Sequence, residues 1–389
     1  MSENKKAIVV GGSNGIGLSI TNELVRRGYF VYIMDIVEPE VNELCDGSYC
    51  KYIYCNLLDF DEELFKKYVC DKNIDTLMIT AGIGRVADFE YIHLAEIDKL
   101  IKLNTIAGIK IIKLFYERIK CIDKFYCGVM GSIAGIVSSP MFSVYAASKA
   151  AICRFIESVN VELKVGNSAN RILNVSPGSI KGTRFNGGEN NLELTSSLAK
   201  GIVDNLFDSK EIYIPEYEAV YKGVIDRYRE DADKFGISSY NYKKESGRVV
   251  NENKASIGYL SGTFDLFHVG HLNLLKRAKK ECDYLIVGVH PDASHKGKET
   301  FIPFEERMQI IEGCKYVDKV VPSCPEDSDA WDLWHYTKLF VGSDYKGTER
   351  FSKYEELFKD KNVEIIYFPY TQGTSSTQIR DKIKGSKLE

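Results

Sequence analysis

Gly262-Thr263-Phe264-Asp265-Leu266-Phe267-His268-Val269-Gly270-His271 follows a short apolar run at 257–260 and opens an amphipathic pattern over 272–279, with Leu274 and Leu275 on its apolar side. An apolar strand, a glycine-bearing turn and a helix, in that order, predict one β–turn–α unit of an α/β sheet. Backbone N–H groups and the helix dipole at such a turn favour an anion. His268 and His271 stand three apart at the helix entry, so both imidazoles can face one pocket. Two imidazoles over a helix N-terminus suit a pentacoordinate phosphate carrying extra negative charge. The glycines allow backbone to approach a phosphate closely.

Outward from this stretch, the alternation continues. Strands are expected at 284–289, 317–321, 339–341 and 363–368, and a helix from Pro303 to about Cys314. Thr374-Ser375-Ser376-Thr377 offers hydroxyls and N–H groups at the start of a final helix. Over about 255–384 the sequence resembles the HxGH nucleotidyltransferases, most closely the glycerol-3-phosphate cytidylyltransferase type. That resemblance implies CTP as a substrate with Mg²⁺, and His268 and His271 as catalytic groups. It implies that Lys296, a catalytic candidate, or Lys298 reaches the triphosphate or the acceptor phosphate, and that Arg307 supports the nucleotide site. Gly262, Thr263, Phe264, Asp265, Gly342 and Asp344 are implied to line the nucleotide, and Ser375, Ser376 and Thr377 to hold its β- and γ-phosphates. Tyr370 stands where the family often has Arg, which makes Lys346 or Arg380 a substitute cation.

The first half reads in the same way. Ala7-Ile8-Val9-Val10 is a continuous apolar run, as expected of a strand buried on both faces. Gly11-Gly12-Ser13-Asn14-Gly15-Ile16-Gly17 follows, then a helical pattern to Gly28 and a second strand closed by Asp35. A glycine-rich β–α turn with an acidic residue ending the next strand is a dinucleotide site. Asp35 can accept from the adenosine ribose hydroxyls and would repel a 2′-phosphate, which favours NADH over NADPH. Further strands are expected at 75–80, 125–131 and 211–215, and a helix from about Ala95 carries Asn104. Tyr145 and Lys149 lie one turn apart on a helix, thirteen residues after Ser132. Lys149, held near the cofactor ribose, is expected to lower the phenol pKa of Tyr145, so that the tyrosine gives or takes the alcohol proton while a hydride moves. Ser132 would hold the carbonyl oxygen.

The glycine turn, Ala81-Gly82 after the strand at 75–80, Asn104, Ser132, Tyr145-x-x-x-Lys149 and Pro177-Gly178 resemble the short-chain dehydrogenase/reductase family in type and order, over about 5–217. The resemblance implies a catalytic tetrad of Asn104, Ser132, Tyr145 and Lys149, with Asn104 supporting a proton-relay water. It implies a cofactor site made by Gly11, Ser13, Asn14, Gly15, Ile16, Gly17, Asp35, Asn56, Ala81, Gly82, Pro177 and Gly178. Gly11 replaces the usual Thr, Thr80 the usual Asn, and Asn56 the usual Asp at adenine. The Gly/Asn-rich segment 180–191 is expected to be a lid, with Lys181 and Arg184 as candidates for a substrate phosphate.

Length and composition agree with this division. The chain has 389 residues, 44% hydrophobic and 27% charged, enough for buried cores in more than one domain. A net charge of -4 supplies no basic field, so nucleic acid is not an expected partner. Ten cysteines without C-x-x-C spacing, a polar start without a secretory segment and no apolar run of membrane length read as a cytoplasmic protein. No metal site is expected. The expected fold is α/β, with two Rossmann-like domains, each a parallel sheet with helices on both faces: a dehydrogenase domain at 1–229, a polar linker at 230–254 and a cytidylyltransferase domain at 255–389. A homo-oligomer is expected.

A reductase and a cytidylyltransferase in one chain would share a polyol phosphate. The combined reading is therefore a bifunctional enzyme that reduces a keto-sugar phosphate, such as ribulose 5-phosphate, and joins the product to CMP, making a CDP-alditol such as CDP-ribitol for capsule or teichoic-acid-like polymers. Competing readings form a CDP-ketose first and then reduce it, or use ATP for an adenylyl transfer regulated by an NAD(H)-sensing first domain. Intact Ser132, Tyr145 and Lys149 stand against a mere sensor.

Overall fold

Strand β1 (Lys6–Val10) is buried on both faces: Ala7 and Val9 pack into one apolar cluster, and Ile8 and Val10 into another. That is why its sequence is an unbroken apolar run rather than an alternation. The computed structural model describes residues 5–39, 48–183, 185, 190–250, 256–292, 299–369 and 378–380. The chain divides into two units, Met1–Glu252 and Asn253–Glu389.

In the first unit β1 is followed by α1 (Gly15–Arg26), β2 (Phe30–Asp35), β3 (Cys50–Tyr54), α2 (Glu62–Val69) and β4 (Ile74–Ile79). Next come α3 (Leu94–Ile101), α4 (Ala107–Lys120), β5 (Tyr126–Met130), α5 (Ser143–Val165) and β6 (Ile172–Val175). The unit ends with α6 (Leu192–Phe207), β7 (Ile212–Tyr213), α7 (Lys222–Glu230) and α8 (Ala232–Glu245). The strands form one parallel sheet in the order β3-β2-β1-β4-β5-β6-β7. Strand order reverses between β1 and β4, which opens a crevice at their carboxyl ends. One helical layer, α1 and α6, covers Val9 and Ile33. The other, α2, α4 and α5, covers Ile8 and Val10.

The second unit runs β8 (Ile257–Gly262), α9 (Val269–Glu281), β9 (Tyr284–Val289), α10 (Phe304–Glu312), β10 (Lys319–Pro322), α11 (Asp327–Trp334), β11 (Lys338–Gly342), α12 (Glu349–Leu357) and β12 (Glu364–Phe368). Its parallel sheet has the order β10-β9-β8-β11-β12, so the reversal lies between β8 and β11. Ile257 and Tyr259 face α11 and α12, while Leu260 faces α9 and α10. Both sheets thus have helices on both faces, as expected. The strand read at 317–321 begins later, because Val317 N–H closes a turn onto Cys314 C=O at 2.9 Å.

The expected linker at 230–254 is corrected by α8. Asp231 breaks the preceding helix and caps α8, its Oδ1 accepting from Lys234 N–H at 2.9 Å. The helix bonds back onto the first unit: Lys243 Nζ donates to Ser139 Oγ and Pro140 C=O, each at 2.7 Å, and Tyr240 Oη to Asp88 Oδ1 at 3.2 Å. Beyond it, Val249 bridges Val86, and Arg85 donates to Val250 C=O. Tyr240 and Lys243 make these bonds, while most other polar residues of α8 are exposed, which is why the stretch reads as a tether. Residues 251–254 lie outside the described residues. Among the described residues no helix is long and apolar enough to cross a membrane.

Candidate active sites

The first site starts at the crevice beside β1. Gly11 and Gly15 take positive φ of 83° and 52°, and a Cβ on Gly17 would lie 2.0 Å from Gly11 C=O, so close packing of turn on helix requires glycine there. Thr80, at the place of the family's Asn, ties β4 to this turn: its Oγ1 donates to Val10 and Gly11 carbonyls at 3.0 and 2.9 Å. Ser13 Oγ is buried in the turn with no hydrogen-bond partner. The Asn14 side chain accepts from Asn190 Nδ2 at 3.0 Å. Asp35 is pinned at the edge, with Oδ2 accepting from Ser13 N–H at 3.1 Å and Oδ1 from Ile36 N–H at 2.7 Å. An orphaned hydroxyl, open helix N–H groups and a fixed carboxylate fit the diphosphate and ribose of a dinucleotide. Asn56 Oδ1 closes its own turn on Leu58 N–H at 3.0 Å.

The catalytic candidates converge next to that turn. Between α3 and α4 the chain widens into a π segment, Lys102–Ile106, which carries Asn104. Asn104 is buried. Its Oδ1 accepts from Ile83 N–H at 2.9 Å, and its Nδ2 donates to Ile83 C=O at 2.8 Å and to Ser148 Oγ at 3.0 Å. Ser148 Oγ in turn donates to Tyr145 C=O at 2.7 Å, so Asn104 is braced to the catalytic helix. Lys149 Nζ donates to Met130 C=O at 2.7 Å and stands 5.9 Å from the centre of the Tyr145 ring. A Cβ on Gly82 would lie 3.3 Å from both Lys149 Nζ and Asn104 Oδ1, so glycine leaves this floor open.

The electrostatics differ from the expectation for Tyr145. Burial pushes its phenol up to about 12, and the hydrogen bond with Ser132 pulls the other way. Lys149 is not what governs the phenol; burial lowers Lys149 itself to about 8. Tyr145 is therefore the protonated partner across the neutral range, suited to giving a proton to a reduced carbonyl oxygen. Phe142 and Phe185 rings pack on Tyr145 with centroids 5.0 and 5.3 Å away, forming an apolar wall. Ile133 N–H donates to Pro177 C=O at 3.0 Å, and the Tyr221 ring fills the space where Gly178 would carry a Cβ. Lys181 is exposed, while Arg184 lies outside the described residues.

In the second unit, β8 ends in a turn with two left-handed non-glycine residues, Phe264 (φ 52°) and Leu266 (φ 50°). They flank Asp265, whose buried carboxylate explains how that strain is held. Its Oδ1 accepts from Phe301 and Ile302 N–H at 3.1 and 3.0 Å, and its Oδ2 pairs with Arg380 Nη2 at 2.6 Å. Arg380 thereby has a carboxylate partner, while its Nε is buried without one. Arg307 is fully buried and donates to four carbonyls: Ile302, Thr263, His290 and Pro291, at 3.0, 2.5, 2.7 and 2.6 Å. It stitches the loops after β8 and β9 to the start of α10, so Asp265 and Arg307 position the turn from beneath.

Above that base sit the histidines. His268 is the N-cap of α9, its Nδ1 accepting from Gly270 N–H at 3.0 Å, and His271 Nδ1 accepts from His268 N–H at 3.4 Å. Burial holds the His268 imidazole below its ordinary range. Thr263 Oγ1 is buried without a partner in the same turn, the counterpart of Ser13 in the first site. Asp344 is exposed after β11, and its Oδ1 occupies the space a Cβ on Gly342 would need, at 2.3 Å. Lys346 is exposed nearby, 5.5 Å from the Tyr367 ring centre. Lys296, Lys298, Tyr370, Ser375, Ser376 and Thr377 lie outside the described residues. Among the described residues no group of His, Cys, Asp and Glu could hold a metal ion.

Residues that the sequence reading missed close the other side of this crevice. His290 Nδ1 and Ser323 Oγ are 2.6 Å apart at the ends of β9 and β10. Asp327, raised by burial and partly offset by Ser261, accepts from Ser261 Oγ at 2.8 Å. Their signal is topological: His290 follows β9, beside β8, and Ser323 and Asp327 follow β10, one strand further out, which periodicity alone does not mark.

Comparison with known proteins gives the same division. Residues 5–193 match the short chain dehydrogenase family and residues 259–382 the cytidylyltransferase-like family. The glycerol-3-phosphate cytidylyltransferase of Bacillus subtilis is 39% identical over 128 residues, 32% of this chain and 94% of its own length. That of Staphylococcus aureus is 34% identical over 128 residues, 32% of this chain and 92% of its own. An uncharacterized oxidoreductase of Saccharomyces cerevisiae is 25% identical over 193 residues, 48% of this chain and 63% of its own. Among solved structures, a short-chain dehydrogenase from Sphingobium yanoikuyae in complex with NADPH is similar at 19% identity and a TM-score of 0.46, covering 58% of this chain and 96% of that one.

Proposed function

Because the chain belongs to the cytidylyltransferase family through residues 259–382 and carries a short-chain dehydrogenase domain over residues 5–193, we propose that this bifunctional reductase and cytidylyltransferase makes a CDP-alditol. The first unit reduces a keto-sugar phosphate, such as ribulose 5-phosphate, to a polyol phosphate. The second joins that phosphate to CMP from CTP and releases pyrophosphate. The product would serve as a donor for capsule or teichoic-acid-like polymers. The observation that carries the reading is the joint presence of buried Tyr145, Ser132 and Lys149 in one site and of the paired histidines on α9. The matched relatives named glycerol-3-phosphate cytidylyltransferase support a polyol phosphate as the acceptor.

In the reductase, Ser132 and Tyr145 hydroxyls hold the carbonyl oxygen. A bound NADH supplies the hydride to the carbonyl carbon. Tyr145 gives its proton to the oxygen, so C=O becomes CH–OH. Lys149 and Asn104 hold the catalytic helix and the proton path. Asp35, fixed by Ser13 N–H, would meet the 2′-phosphate of NADPH, which supports NADH.

In the transferase, an oxygen of the polyol phosphate attacks the α-phosphorus of CTP. The bond to the β-phosphate oxygen breaks and pyrophosphate leaves. Because Nδ1 of each histidine accepts a backbone N–H, the neutral ring carries its proton on Nε2. Two such donors stabilise the extra charge of the pentacoordinate state. Mg²⁺ is taken to arrive on the triphosphate oxygens.

The test is product mass after incubating the full chain with NADH, Mg²⁺, a panel of keto-sugar phosphates and either CTP or ATP. A CDP-alditol formed only with CTP supports the proposal. An adenylyl product, or a nucleotide product without NADH consumption, contradicts it.

A further inference from the structure

Two cations near the reductase site have no carboxylate partner among the described residues. Arg85, by contrast, is neutralised by Glu96, donating from Nε and Nη2 at 2.8 Å each. Lys243, on α8, is only 8% exposed; its ammonium donates to Ser139 Oγ and Pro140 C=O. Arg248 follows α8, donating from Nε to Ser246 Oγ at 3.1 Å and from Nη1 to Ser179 Oγ at 3.4 Å. Each keeps N–H donors beyond those bonds, one on the ammonium and several on the guanidinium. Both belong to one stretch, Lys243 in the last turn of α8 and Arg248 three residues past its end; burial lowers Lys243 to about 8, and the charge of Arg248 acts in the same direction.

Their surroundings belong to the substrate side. Lys243 Nζ stands 5.4 Å from the centre of the Phe142 ring, and that ring packs on Tyr145. The turn that receives Lys243 holds Met141 in the left-handed region (φ 62°), and Met141 C=O accepts from Ala87 N–H at 2.9 Å. Ser179 directly follows Pro177-Gly178 and precedes the expected lid. Strain at a non-glycine turn beside a catalytic tyrosine is more often kept for function than for stability.

We propose that Lys243 and Arg248, with the hydroxyls of Ser139 and Ser179, form the site that grips the phosphate of the ketose substrate. The proposal rests on the reading of that substrate as a keto-sugar phosphate. A phosphate monoester carries about -1.5 to -2 charge at neutral pH. It would offset the repulsion between the two cations and use their remaining donors in charge-assisted hydrogen bonds. Lys243 Nζ and the Tyr145 ring both pack against Phe142, which links the proposed phosphate site to the reacting phenol. Helix α8 is then part of the reductase's substrate selection.

The experiment compares full-chain wild type, Lys243→Met and Arg248→Gln in NADH oxidation. Each is assayed with a keto-sugar phosphate and with the same ketose lacking phosphate. Each variant should raise KM for the phosphorylated ketose by about 10- to 100-fold, the loss of a charged hydrogen bond, with kcat little changed. The unphosphorylated ketose should be reduced with the same low kcat/KM by all three. Equal effects on both ketoses, or none, would overturn the proposal. A second measurement covers the case in which wild type reduces no keto-sugar phosphate, which would sink the substrate reading itself. Inorganic phosphate is titrated into each protein saturated with CTP and Mg²⁺, and binding is read from phosphorus NMR line width. Saturable binding in wild type that is lost in Arg248→Gln supports the site; binding that is absent in wild type or equal in all three proteins refutes it.

Discussion

His268 and His271 fix one another at the entrance of α9: their rings stack 4.1 Å apart at 30°, and each Nδ1 accepts a backbone N–H of the same helix turn. The backbone therefore chooses the tautomer, and each ring presents Nε2–H as a donor. Burial keeps His268 below its ordinary pKa, so it donates without being charged.

From this, His268→Ala or His271→Ala should lower kcat for cytidylyl transfer by about two to four orders of magnitude. His268→Asn keeps an acceptor for the Gly270 N–H, so it should retain thermal stability and still lose rate. An Asn variant with a normal rate would show that the ring is only a cap. NADH oxidation is the control and should not change.

Tyr145→Phe should abolish reduction and leave pyrophosphate release from CTP and a polyol phosphate intact, because the two sites lie on different sheets. Parallel loss of both activities would contradict two separate sites.

Reduction should decline as pH rises through about 8. Lys149 loses its proton there, whereas Tyr145, raised to about 12, stays protonated. A pH profile of kcat/KM from 6 to 10 checks this. Lys149→Arg stays charged throughout, so its profile, at whatever lower rate, should lose that limb. A decline beginning only near the phenol's value would assign it to Tyr145 instead.

Wild type should prefer NADH to NADPH, and Asp35→Ser should reduce the NADH/NADPH ratio of kcat/KM by about tenfold or more. A wild-type preference for NADPH would remove Asp35 from the discrimination.

Arg380→Met leaves the buried Asp265 carboxylate without its cation and should cost about 3–5 kcal/mol in the second unit. Burial raises Asp265, but Arg380 and two backbone N–H groups outweigh it and its pKa is lowered. The stabilisation is therefore present at neutral pH and lost only as pH falls through the low folded value. Calorimetry should show one transition shifted down and reductase activity preserved.

That the residues of each candidate set lie together was legible in the sequence because each set falls in a short local pattern: Tyr145 and Lys149 on one helical face, His268 and His271 across one turn. Asp35 was legible because a strand end is a fixed place relative to the glycine turn. What escaped was set by tertiary approach. Arg380 reads as a spare cation until the chain brings it to Asp265, far away in sequence. Arg307 has carbonyl partners that no sequence pattern names. Helix α8 was mistaken for a tether because most of its polar residues do face solvent, and only Tyr240 and Lys243 bond it to the loops. The pKa of Tyr145 was misjudged because the charge of Lys149 is visible in sequence and the burial of both is not.

The central claim, reduction followed by cytidylyl transfer in one chain, is tested most directly by following NADH with a keto-sugar phosphate while CTP is withheld, then adding CTP with Mg²⁺ and measuring pyrophosphate. The account predicts NADH consumption before CTP is added, and pyrophosphate afterwards in step with the polyol phosphate already formed. NADH consumption that begins only when CTP is present would mean that a CDP-ketose is the true substrate of reduction, and would contradict it.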